Sequence, residues 1–130
     1  MTDAQGIPLA VAVTGSNVPD INELVPVVDA IPNVSGKVGH PRKRPEVLYG
    51  DRAYDSEPHR EQMKRRGILP RFARRNTEHG SGLGVYRWVV ERTISWLHGF
   101  RKLRLRTDRA ASTHEALVAL ATSLICMWFL

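Results

Sequence analysis

The sequence predicts an α/β layer architecture, on three observations. Short apolar runs bounded by glycine or proline alternate with segments of helical period. The helical segments carry start and stop residues at their ends. No internal repeat competes with this pattern, so the coarse order is strand, helix, strand, helix, strand, helix, helix.

The first element is "GIPLAVAVTGS", in which Leu9, Val11 and Val13 alternate with small residues between Gly6 and Gly15, predicting a strand over 8–14. In "NVPDINELVPVVDAIP", Ile21, Leu24, Val25 and Val28 fall at helical spacing behind Asp20 as a cap. Pro26 inside it predicts a kink or two short pieces. "PNVSGKVGHPRKRPE" holds three prolines, two glycines and a basic cluster, and reads as a tethering loop at about 32–45.

"EVLYGD" predicts a short strand from Val47 to Tyr49. "DSEPHREQMKRRG" then predicts a helix with Ser56 as cap, Glu57 and Pro58 in its first turn, Lys64 to Arg66 in its last, and Gly67 as its stop. "ILPRFA" is a brief strand weakened by Pro70. After the glycine-rich loop "RRNTEHGSGLG" comes the helix "YRWVVERTISWLHGF". "FRKLRLRTDR" alternates base and leucine, which in an extended chain sets Lys102, Arg104 and Arg106 on one side and Leu103 and Leu105 on the other. The last helix begins at a capping box, Ser112 to Glu115, and runs into "ALVALATSLICMWFL".

The 130 residues suit one ordinary domain, and 42% hydrophobic content suits a globular one. Nineteen Lys and Arg against thirteen Asp and Glu give a net charge of +6. Eighteen of those bases fall between residues 40 and 109 with only eight of the acids, a local excess of ten. Such an excess is either a solvated face or a phosphate-binding surface. Cys126 is alone and sits among apolar neighbours, which fits a core residue in a reducing compartment. No secretory signal is evident, and the apolar C-terminal stretch is shorter than the roughly 20 residues a bilayer requires.

Two acids are candidates for chemistry. Asp51 in "LYGDRAYDS" stands where a predicted strand stops, the place where ligands gather in open α/β sheets. Sequence pattern alone favours an ordinary turn acid or cap there, while Tyr54 and Asp55 read as a packed ring and a turn residue. Glu91 lies on a helical stripe roughly 60° wide with Arg87, Ile94 and His98, opposite Val89, Thr93, Trp96 and Phe100. It is either the partner of Arg87 in an i, i+4 ion pair or a metal ligand. Carboxylates suit Mg²⁺ or Mn²⁺, and the five scattered histidines and single cysteine offer no soft-metal spacing. "HGSGLG" lacks the Lys and Ser/Thr of a P-loop, so nucleotide binding is not expected.

Taken together, "VTGSNVPDINELVPVVDAIP", "LYGDRAYDS", "RRNTEHGSGLGVYRWVVERTISWLHGFRKLRLR" and "HEALVALATSLIC" resemble the C-terminal part of bacterial insertion-sequence transposases of the DDE class, family-five kind. The resemblance covers nearly the whole chain, and "RWVVERTISWLHGFRKLR" is its most specific segment. It implies a partial RNase H-like fold over 1–130, a short mixed sheet with flanking helices, lacking its first strand or strands. It also implies a metal-dependent DNA-cutting and DNA-joining site in which three carboxylates hold two Mg²⁺ or Mn²⁺ ions. Asp51 matches the second Asp and Glu91 the Glu of that set, and the first Asp is expected on a strand upstream of this chain.

By the same resemblance Arg87 contacts the DNA backbone, with His98 and the Arg101, Lys102, Arg104 and Arg106 face as further phosphate contacts. The family pattern has Tyr and Lys where this sequence has Gly84 and His98. The implied partners are double-stranded DNA, an upstream transposase part or the full-length transposase, and possible further copies of the chain. The implied location is the bacterial cytoplasm at the nucleoid, with no membrane role. The isolated chain is expected to be inactive, and a non-catalytic DNA-binding regulator or a functionless remnant are the alternatives.

Overall fold

A computed structural model describes residues 1–34, 38–76, 84–105 and 108–130. They form two compact units, one of Thr14–Tyr86 and one of Met1–Val13 with Arg87–Leu130.

The Thr14–Tyr86 unit is built on a β-α-β arrangement. Strand β1 (Val47–Gly50) pairs in parallel with β2 (Leu69–Phe72), in the register Val47 with Leu69 through Gly50 with Phe72. Parallel neighbours need a crossover, supplied by a 3-10 turn at Arg52–Tyr54 and a nine-residue helix at Glu57–Arg65. Leu48, Pro70 and Phe72 face the core, and Tyr49, Leu69 and Arg71 face outward. Pro70 is tolerated because the N–H groups of Leu69 and Ala73 donate to β1 at Glu46 O and Gly50 O. The intervening proline therefore falls where the backbone nitrogen points away from that strand.

Two helices close this core. The first, α1 (Leu24–Asp29), follows a 3-10 turn at Asp20–Glu23, which is the expected division into two short pieces. Asp20 opens that turn instead of capping it, and Pro19 takes the cap position. Pro26 is the third residue of α1, where a helix has no use for an N–H. Leu24 and Val28, one turn apart, bury against the Glu57–Arg65 helix, α2, whose Met63 is fully buried beside Ile68.

Ser56 precedes α2 as expected, although its hydroxyl faces His59 Nδ1 at 2.9 Å instead of capping a backbone N–H. Gly67 ends α2 with φ +73°, a conformation that favours glycine. Arg66 holds Asp29 in a two-bonded pair at 2.8 and 3.0 Å, and this hydrogen bonding keeps the Asp29 carboxyl below its ordinary value. The loop at about 32–45 is more than a tether: Val34 and Arg42 exchange both backbone hydrogen bonds, at 2.9 and 3.0 Å.

The second unit packs the N-terminal segment with α3 (Gly84–Gly99), α4 (Arg101–Arg104) and α5 (Ala111–Met127). The strand expected over 8–14 does not form. Thr2 and Pro8 make one isolated bridge, and Val11 is exposed. Alternating residues make a strand only where a neighbouring strand offers its N–H and C=O groups along its length; Leu9 and Ala10 bond only to Met1, and residues 11–14 pair with no strand among the described residues. Asp3 sets the preceding turn, its Oδ1 accepting from the Gln5 and Ile7 N–H groups at 2.8 Å each.

Gly6 sits at φ +87° in close contact with α3, where an added Cβ would lie 3.1 Å from Val89 O. The buried Thr93 hydroxyl donates to Gly6 O. Among the described residues, Val89 and Thr93 of α3 and Val118, Ala121 and Ile125 of α5 are the buried ones of the two long helices.

Two further expectations change here. The "FRKLRLR" segment is not extended, because Arg101–Arg104 closes one helical turn on Phe100 O, with Leu103 N–H at 2.9 Å and Arg104 N–H at 3.2 Å. Phe100 and Leu103 are three apart, so the same residues that alternate as a strand also satisfy a helical face. Helix α5 begins at Ala111 with Ala110 at the cap position and no side-chain cap. Ser112 is therefore already inside the helix, and the capping box is not used. Residues 77–83 of the glycine-rich loop, which include most of "HGSGLG", lie outside the described residues.

Candidate catalytic carboxylates and phosphate-facing side chains

Asp51 leaves the carboxyl end of β1 in extended conformation and caps the 3-10 turn that follows, its Oδ1 accepting from Ala53 N–H at 2.9 Å. It is exposed. The backbone around it is heavily tied. Asp55 accepts from Arg60 Nη2 at 2.6 Å and from the Arg75 backbone N–H at 2.7 Å, and Arg60, itself buried, also donates to Phe72 O at 3.0 Å. The bond from the Arg75 N–H, followed by that from Arg60, holds the Asp55 carboxyl below its ordinary value. Tyr54 packs against Phe72 with ring centroids 6.2 Å apart, and burial pushes its phenol up. Tyr54 and Asp55 are thus the packed ring and turn residue that their positions suggested.

Glu91 lies on the solvent side of α3. Its side chain is 62% exposed and its Oε1 accepts from Arg87 Nε at 3.0 Å, with Arg87 80% exposed. The buried line of α3 is Val89 and Thr93, the opposite stripe, so this acid is not in the apolar core. On the sequence's own terms both ordinary explanations are realised: Asp51 caps a turn and Glu91 forms a helix ion pair. Such an exposed pair contributes only about 0.3–0.5 kcal/mol, too little to prevent Glu91 from taking another partner.

His98 is exposed near the end of α3. Arg101, Lys102 and Arg104 are exposed on α4, and at 100° per residue they fan over an arc of roughly 160° with Leu103 turned inward. Arg106 lies outside the described residues. One basic residue was not singled out by sequence pattern. Arg92 stacks over the Trp88 ring at 4.3 Å from its centroid and lies 5.8 Å from that of Trp96, and it donates to Gln5 O. The i, i+4, i+8 spacing of Trp88, Arg92 and Trp96 is the signal that would have found it.

The structure brings Glu91 and Arg87 together directly. Asp51 belongs to the other compact unit. Among the described residues no group of three or more His, Cys, Asp and Glu side chains is placed to hold a metal ion. The donor chemistry of Asp51 and Glu91, hard carboxylate oxygens on exposed side chains, fits Mg²⁺ or Mn²⁺.

The family described as "Transposase DDE domain" matches residues 1–126. The chain belongs to this DDE transposase family. A Burkholderia cepacia protein whose name assigns it as the transposase of insertion sequence element IS402 is 57% identical over 126 residues. The match covers 97% of this chain and 60% of that relative. This DDE-domain chain therefore spans about three fifths of the curated relative it matches. No solved structure matches it. The mixed helices and short parallel sheet are consistent with a partial RNase H-like DDE domain. No helix among the described residues is long and apolar enough to cross a membrane.

Proposed function

We propose that this chain supplies two of the metal-binding carboxylates, Asp51 and Glu91, and a DNA-backbone face to a transposase catalytic domain that cuts and joins DNA strands. The observation that carries this reading is the position of Asp51, exposed at the carboxyl end of a parallel strand, in a chain of the DDE family. The first Asp of the family's set is not among the residues matched here, and this reading takes it from an upstream part of the transposase.

In the complete site Asp51 and Glu91 would each hold a divalent ion, with the first Asp as the third carboxylate of the set. When bound, the two ions activate the attacking water or 3′-hydroxyl and stabilise the leaving oxygen of the scissile phosphate. Glu91 becomes available by releasing Arg87, and the freed guanidinium then pairs with a DNA phosphate as a planar fork. His98, Arg101, Lys102, Arg104 and Arg106 add backbone contacts that position the duplex without reading its sequence. The partners are transposon ends and target DNA, in the bacterial nucleoid, with further copies of the protein.

The test is a cleavage and joining assay with transposon-end DNA and Mg²⁺ or Mn²⁺. The chain is assayed alone and with the upstream part. The expected result is no activity alone and joining on complementation. Asp51→Asn or Glu91→Gln should each reduce joining by at least about 10³-fold, several kcal/mol of transition-state stabilisation. Nicking by the isolated chain that Asp51→Ala abolishes would overturn the need for an upstream part.

The exposed cations Arg87, Arg101, Lys102 and Arg104 support a second reading, a DNA-binding regulator of transposition without catalysis. Salt-sensitive DNA binding with no joining in any mixture would establish that reading instead.

A further inference from the structure

Beyond the carboxylates themselves, the densest polar network in the Thr14–Tyr86 unit surrounds the turn that carries Asp51. The chain leaves β1 through Asp51–Asp55 and leaves β2 through Ala73–Arg75, and the two segments are stitched together. Ala73 N–H donates to Gly50 O at 3.0 Å, continuing the ladder one step past the sheet. Two residues on, the Arg75 N–H reaches Asp55 Oδ2, and the Arg75 guanidinium reaches back across the turn. Its Nε donates to Arg52 O at 3.1 Å and its Nη2 to Ala53 O at 3.5 Å.

Those two carbonyls flank the peptide that matters most to Asp51. The N–H of Ala53 is the donor that orients the Asp51 carboxylate, and Tyr54 N–H donates to Asp51 O at 3.2 Å. A guanidinium holding Arg52 O and Ala53 O therefore fixes the peptide planes whose N–H groups point at Asp51. Arg75 itself is exposed, so its side chain holds the turn without being part of the core. Resting on the reading of Asp51 as a metal ligand, we propose that Arg75 is a positioning residue for Asp51: its guanidinium sets the Arg52–Tyr54 turn so that the carboxylate is presented at the end of β1 in one orientation. Asp55 and Arg60 anchor the same clamp from beneath, through the Arg60 bond to Phe72 O.

The reason for such a device is geometric. A three-residue 3-10 turn is short and has few hydrogen bonds of its own, and a ligand displaced by about 1 Å can cost on the order of 10²-fold in rate. The five donors of Arg in a fixed fork can span two successive carbonyls, whereas a Lys ammonium is a single point on a flexible stem.

The test uses the full chain and amide hydrogen exchange followed by NMR. In Arg75→Ala the amides of Ala53 and Tyr54 should exchange about tenfold faster or more, while those of Leu48 and Ile68 keep their wild-type rates. Arg75→Lys should recover only part of the protection. Rates at Ala53 and Tyr54 that stay within about twofold of wild type would overturn the proposal. So would an equal acceleration at Leu48 and Ile68, which would make Arg75 a general support of the unit. A Mn²⁺ titration in the presence of the upstream part separates this from the metal reading. Broadening of the Ala53 amide in wild type that needs several-fold more Mn²⁺ in Arg75→Ala supports both. No broadening in either protein, with the exchange difference present, defeats the metal reading and leaves the positioning role standing.

Discussion

The salt dependence of the proposed DNA binding can be worked from the exposed cations on α3 and α4. Arg87, Arg101, Lys102 and Arg104 are all solvent-facing, which makes four described candidates for phosphate contact. Each neutralised phosphate contributes about −0.9 to the slope of log K against log salt, so four contacts give a slope of about −3.6. Raising salt from about 50 to 200 mM then weakens binding about 150-fold. Replacing Arg101, Lys102 and Arg104 together by Ala removes three contacts, which makes the slope shallower by about 2.7 and cuts the loss over the same range about 40-fold.

Because α4 is a single exposed turn, the triple variant should keep its thermal midpoint, which separates lost contacts from lost folding. The assay is fluorescence anisotropy with a labelled duplex at a series of salt concentrations. A triple variant with the wild-type slope would refute the assignment of α4 as a phosphate face. A wild-type slope shallower than about −1 would refute the count of contacts.

Two further predictions concern stability. Met63 is fully buried between α2 and β2, so Met63→Ala should destabilise the Thr14–Tyr86 unit by about 2–5 kcal/mol, read as a lower urea midpoint. The Asp55 carboxyl is held below its ordinary value by the Arg75 N–H and by Arg60. Its contribution is therefore fully present above the unfolded carboxylate value and is lost as pH falls from there through the lower folded value. Asp55→Asn should flatten that acid limb of the stability profile, measured by urea midpoints across pH. An unchanged acid limb would contradict the linkage.

Much of the fold was legible because its signals are local. Gly67 stops α2 through its own backbone freedom, Pro26 fits the first turn of α1 because no N–H is needed there, and the apolar spacing of Leu24 with Val28 predicts their shared face. Leu9–Val13 does not form the strand that its alternation predicts, and the reason is the same locality. Alternation describes side chains, while a strand also requires a partner's hydrogen bonds, and a short base-leucine repeat fits either period.

For the candidate site, sequence alone determined the residue types and their helical or strand-end positions. That was enough to place Glu91 beside Arg87, since a spacing of four in a helix makes neighbours of any two residues. Only the tertiary structure decided what surrounds Asp51. Arg75 reaches the Arg52 and Ala53 carbonyls of the turn after Asp51 because β2 returns parallel to β1, and no short-range pattern records that return. Burial was decided in the same way: Glu91 sits on an apolar-rich helix yet faces solvent, because burial depends on which stripe meets the rest of the unit, and here that stripe is Val89 and Thr93.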